Sequence, residues 1–178
     1  MYQHPPAGTH VLCVDEMGPV AAKTYPAPRW ADAGARPKVT PDYGRRGKSW
    51  VLGALEPRTG QSLTLCSDKR DSASFVELLN AIVTTWSEGE LILILDNLST
   101  HKTIDVLLWA LLQPRVRFLF QPTYAPWLNL IEPWWKTLRA LALKGRCFAD
   151  HEAVRLAIDQ ATDYWNEHRH PYTWRKAA

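Results

Sequence analysis

The chain has 178 residues, 46% of them hydrophobic, which suits a single domain with a substantial core and excludes a disordered chain. Its net charge of +3 is too small to mark the whole surface as a nucleic-acid binder, so any case for DNA must rest on local clusters. The N-terminal residues lack the basic and apolar regions of an export signal. The longest apolar run, 106–112, is far shorter than the roughly 20 residues that span a bilayer, so a soluble cytoplasmic protein with no membrane partner is expected. Cys13, Cys66 and Cys147 are widely spaced, lack the pattern of a zinc site, and are expected to be reduced packing residues.

In chain order, residues 10–14 read as a strand ending at Asp15. Residues 17–48 hold prolines at 19, 26, 28, 37 and 41 and are expected to be mostly loop or sheet edge, because proline cannot donate to a ladder. Residues 49–55 and 62–66, joined by turn-forming sequence, predict an antiparallel hairpin. Residues 71–86 carry Phe75, Leu78, Leu79, Ile82 and Trp86 at helical spacing, with Asp71 or Ser72 as N-cap. The five aliphatics 91–95 predict a strand buried on both faces, delivering Asp96 to the carboxyl edge of the sheet. Residues 100–113 predict a helix with Ile104, Leu107, Leu108, Leu111 and Leu112 on one face, stopped by Pro114. A strand at 116–120 and helices from 129 to about 143 and from 150 to about 168 complete the chain.

The expected class is α/β. The first three strands form a meander, and the helices that follow force the later strands parallel through right-handed crossovers. That is a ribonuclease H-like, five-stranded mixed sheet of order 3-2-1-4-5 flanked by helices, with the first and fourth strands adjacent. Asp15 and Asp96 would then lie about 4.8 Å apart in strand spacing. With Glu132 near the start of a helix, they make a candidate site for Mg²⁺, which favours carboxylate oxygens and keeps positions open for water and phosphate. Two such ions can activate the attacking oxygen and stabilise the leaving one. The plainer reading stays open: strand-end acids often cap turns, and Glu132 can simply pair with Lys136 one helical turn on.

Three motifs carry a family resemblance: Val14-Asp15-Glu16; Leu95-Asp96-Asn97 with His101; and Pro122, Tyr124, Pro126, Asn129, Glu132 and Trp135 at their particular spacing. Thirty-five residues separate Asp96 from Glu132. Together these resemble the DDE transposases of the mariner-like superfamily, on the bacterial insertion-sequence branch. The resemblance implies metal-dependent cleavage and strand transfer of DNA, with Asp15, Asp96 and Glu132 as ligands of two Mg²⁺ or Mn²⁺ ions. It places Asn97 and Asn129 beside the ligands and His101 near the scissile phosphate, or else on a helix surface or cap. It also implies transposon ends and target DNA as partners, a homodimer in the active complex, and a nucleoid-associated protein. Relatives carry a helix-turn-helix module before the catalytic domain. Residues 1–178 read as the catalytic domain alone, with that module absent and supplied by a separate frame or lost by truncation.

Arg36, Lys38, Arg45, Arg46 and Lys48 crowd the loop before the second strand, and Lys136 and Arg139 follow Glu132 on one helical face. These are candidate phosphate contacts, against the alternative of solvated surface. Arg175, Lys176 and the tail histidines are weaker candidates. Trp127, Trp134 and Trp135 can stack on bases or pack the last helix onto the sheet. Residues 42–49 nearly match a phosphate loop, but Asp42 stands where glycine is required and strand-like sequence follows where a helix is needed. Two other functions remain open: an inactive relic that only binds DNA or assembles, and a ribonuclease H-type nuclease.

Overall fold

The computed structural model describes residues 2, 5–28, 30, 34, 38, 41–123 and 128–172. Arg36, Tyr124, Pro126, Trp127, Trp174, Arg175 and Lys176 lie outside them. The elements are β1 (Thr9–Ala21), β2 (Lys48–Leu55), β3 (Ser62–Ser67), α1 (Ser72–Thr85), β4 (Glu90–Leu95), α2 (Ile104–Leu111), β5 (Val116–Phe120), α3 (Ile131–Ala142) and α4 (His151–Glu167), with a 3-10 turn at Ser99–Lys102. The sheet order is β3-β2-β1-β4-β5. β1, β2 and β3 run antiparallel, while β1–β4 and β4–β5 are parallel, as the crossover helices require.

Alternation along the strands sends side chains to two cores. Leu12, Val14, Leu52 and Ala54 join Phe75, Leu78 and Ile82 beneath α1. Cys13, Met17, Val51 and Leu55 join Trp134, Trp135, Val154 and Trp165 beneath α3 and α4. Asp71 caps α1, accepting from the Ser74 N–H at 3.0 Å, and Asp150 caps α4, accepting from Ala153 at 2.8 Å.

Two expectations change. β1 does not stop at Asp15 but runs thirteen residues to Ala21. Pro19 is tolerated because the β1–β2 register shifts between Met17 and Val20, where a bulge removes the demand for a ladder donor. The helix expected over 100–113 is split: Thr103 is extended, with φ −72° and ψ 160°, and separates the 3-10 turn from α2. α2 then rests on α1 through buried Val106 and through Trp109, whose Nε1 donates to Asn80 Oδ1 at 2.8 Å. The leucine-rich face faces outward, with Leu111 79% and Leu112 78% exposed.

Among the described residues no helix is long and apolar enough to cross a membrane. The three cysteines are free, but Cys147 is exposed rather than packed. β2 begins at Lys48, within the 42–49 segment, where a phosphate loop would need a helix, and the Asp42 carboxylate is occupied by the N–H groups of Thr24 and Gly44.

Candidate active site

The last pair of the parallel β1–β4 ladder is Cys13 with Ile94, two residues before Asp15 on β1 and before Asp96, which follows the end of β4. They differ in what holds them. Asp15 lies on the α3 side of the sheet, where its Oδ2 accepts from Trp135 Nε1 at 3.2 Å. Burial, with the neighbouring Glu16 and Glu132 charges, pushes its carboxyl up to about 7, although the Glu16 N–H and Trp135 favour the ionised form. The room for Trp135 comes from Gly53, the residue opposite Asp15 on β2. A Cβ there would meet the Trp135 ring at 2.5 Å.

Asp96 follows β4 and is gripped from the opposite side of the sheet. Its Oδ1 lies 3.1 Å from His101 Nδ1 and accepts from the Leu98 N–H at 3.0 Å. The His101 hydrogen bond comes first among the causes that hold the Asp96 carboxyl below its ordinary range. His101 is fully buried, stacks on Phe75 at 4.3 Å, and meets Glu16 Oε1 through Nε2 at 2.8 Å. Burial alone would lower its pKa, but hydrogen bonds to Asp96 and Glu16 overcome that and raise it to about 9. The imidazolium therefore bridges two carboxylates and is shut off from solvent.

Glu132 sits in the first turn of α3, is exposed, and makes no ion pair with Lys136 or any other described residue. Its charge is felt at Asp15. Asn129 anchors the start of α3, donating to the Val14 carbonyl at 3.2 Å and accepting from the Ile131 N–H at 3.4 Å. Asn97 donates to the Gln121 carbonyl at 2.6 Å and accepts from Lys102 at 2.8 Å, tying the end of β4 to the end of β5. Both asparagines thus bond chiefly to main chain around the acids.

The donor chemistry suits a hard divalent cation: the groups are carboxylates, and Asp15 is strained by burial and like charge in a way a cation relieves. Among the described residues, however, no three acidic, histidine or cysteine side chains are placed to hold a metal ion together, so the acids are not drawn into a closed cage.

A family model described as DDE superfamily endonuclease matches residues 10–155. The chain belongs to this family. An insertion element IS630 protein of 39 kDa from Shigella sonnei is 35% identical over 101 residues, covering 56% of this chain and 29% of that relative. The Mos1 mariner paired end complex with Mn matches at a TM-score of 0.64 and 18% identity, covering 92% of this chain and 49% of that one. A simian T-cell lymphotropic virus intasome matches at 0.54 and 11%, covering 79% and 48%. The structural matches support the ribonuclease H-like fold, and the chain spans about half the length of those chains.

In this DDE domain the candidate phosphate contacts are unequal. Arg45, Lys48, Lys136 and Arg139 are exposed. Arg46 is committed to Asp42 and to the Ala22 carbonyl, and the Arg139 Nε–H also donates to Met17 Sδ at 3.0 Å. Trp134 and Trp135 are buried and pack α3 onto the sheet. Sequence reasoning gave no role to Glu16 or Gly53. For Glu16 the available signal was adjacency to Asp15: neighbouring strand residues face opposite ways, so one of two consecutive acids must point into the α1 side.

Proposed function

We propose that this DDE domain cleaves and rejoins DNA phosphodiesters as the catalytic part of an insertion-sequence transposase, with Asp15, Asp96 and Glu132 holding one or two Mg²⁺ or Mn²⁺ ions. The observation that supports this reading is the parallel pairing of β1 with β4, which runs to Cys13 and Ile94, two residues before Asp15 and Asp96, together with the like charge and burial that strain the Asp15 carboxyl. When bound, the metal supplies charge neutralisation and activation of the attacking oxygen.

The chain's own residues do the positioning. Trp135 orients the Asp15 carboxylate, and His101 with the Leu98 N–H orients that of Asp96. Asn129 fixes the start of α3, and with it the turn that carries Glu132. Arg45, Lys48, Lys136 and Arg139 bind backbone phosphates, which carries no sequence information. Recognition of particular ends belongs to a helix-turn-helix module outside these 178 residues, and strand transfer to a pair of subunits. The Mos1 matches, described as paired-end and strand transfer complexes, support DNA ends as substrate.

The test is nicking of a supercoiled plasmid in Mn²⁺ or Mg²⁺. Cleavage that Asp96→Asn abolishes is the expected result. DNA binding without cleavage makes the domain a relic, and a preference for RNA–DNA hybrid makes it a ribonuclease H-type enzyme.

A further inference from the structure

Arg70 lies in the connection between β3 and α1, immediately before the Asp71 cap. Its guanidinium carbon sits over the Trp50 ring at 4.8 Å. Trp50 in turn packs against the core beneath α1. The same end of α1 carries Phe75, whose ring stacks on His101, which holds Asp96. The start of α1 therefore packs, through Phe75, on the histidine that holds Asp96.

Despite this, Arg70 makes no salt bridge to any described acid and no side-chain hydrogen bond among the described residues. A guanidinium carries five N–H donors in a flat fork that matches phosphate oxygens. Here the fork is exposed, set over an aromatic ring, and without an acceptor among the described residues. A solvated arginine shielding a surface tryptophan accounts for the stack alone. It does not account for a cation at the end of α1 that packs on the histidine of Asp96, yet pairs with no described acid.

We infer that Arg70, held on Trp50, is the phosphate-docking cation of the acidic edge, gripping the non-bridging oxygens of the phosphodiester brought to Asp96. The His101 charge is buried between Glu16 and Asp96, so it is not free to meet a phosphodiester. The inference rests on the domain acting on DNA. It adds a residue that the acid motifs do not contain and that the basic loop at 45–48 does not include.

The test is binding of a fluorescein-labelled 20-base-pair duplex, followed by anisotropy from 50 to 300 mM NaCl. Ca²⁺ replaces Mg²⁺ as a hard cation with looser geometric demands, to screen the acids while limiting cleavage. Arg70→Ala is expected to weaken binding about tenfold and to flatten the slope of log affinity against log salt by about 0.9, the value of one lost phosphate contact. Trp50→Leu, which keeps the charge but removes its platform, should weaken binding by a smaller factor. Should Arg70→Ala lower the melting temperature, Arg70→Gln, which keeps a flat stem, is read in its place.

Wild-type slope and affinity in the folded Arg70 variants, with Lys48→Ala still weakened, would overturn the role of Arg70 and leave the proposed function standing. No binding by the wild-type protein would remove both.

Discussion

Replacing Asp15 with asparagine removes a charge that the metal-free fold resists while keeping an oxygen to accept from Trp135. In the unfolded chain this carboxyl ionises near 3.8, whereas the folded site holds it protonated up to about 7. Below 3.8 both states are protonated and the residue contributes no difference. As pH rises from there the unfolded chain gains a charge that the folded chain refuses, so the folded state loses about 1.4 kcal/mol per pH unit until about 7, where the loss levels off. The ceiling is about 4 kcal/mol, and solvent relaxation around a partly exposed carboxyl reduces it to the order of 2 kcal/mol. Asp15→Asn should therefore be more stable than wild type at pH 8 by that amount, about 4–8 °C in melting temperature for a chain of this size. At pH 5 the advantage should shrink below about 1 kcal/mol. Melting curves in EDTA at both pH values supply the measurement. Added Mn²⁺ should raise the melting temperature of wild type and leave the variant unmoved. An advantage that does not change with pH, or a variant less stable at pH 8, refutes the argument that Asp15 is electrostatically strained.

His101→Ala leaves Glu16 buried without its partner and should cost about 3–5 kcal/mol by chemical denaturation. Because folding raises the His101 pKa, its ion pairing stabilises fully below about 6.5 and fades as pH climbs through about 9; a wild-type–variant gap that does not narrow between pH 7 and 10 would contradict this. Gly53→Ala drives a methyl into the Trp135 ring, with an expected loss of about 1–3 kcal/mol and weaker Mn²⁺ binding by calorimetry. Burial pushes the Cys13 thiol up to about 11 and Cys66 to about 12. Alkylation of the native protein at pH 8, read by mass spectrometry, should therefore mark exposed Cys147 and spare the other two.

Strand order was legible from two features: a short turn pairs β2 with β3 as a hairpin, and the helices before β4 and β5 carry the chain back so that these strands run parallel to their neighbours. The five aliphatics before Asp96 needed no tertiary context to read as a central strand. β1 was harder, since Pro19 marks either an end or a bulge, and only pairing with β2 distinguishes them. The leucine stripe of α2 was located correctly, but its periodicity says which apolar residues share a face, not which face meets the protein. Val106 and Trp109 anchor the helix from the other side. At the site, Asp96 and Glu132 were marked by motif spacing. The burial of Glu16 was not, because alternation shows that it points away from Asp15 and leaves open what awaits it there.

What awaits Glu16 divides the electrostatics of the acidic edge into two unequal halves. On the α1 side, Glu16 and Asp96 share the His101 imidazolium, so most of the negative charge there is met by a buried positive charge. On the α3 side, Asp15 has only an indole N–H and a backbone N–H against its own burial and the charge of Glu132. On the proposed function, a divalent cation would gain most from the Asp15–Glu132 half, where no ion pair among the described residues answers the charge. Asp96, whose carboxylate His101 holds in its ionised form, would serve as a ligand there without first losing a proton. On this reasoning Glu16 bears on metal binding without touching the metal: removing it loosens His101, and with it the fixed direction of the Asp96 carboxylate.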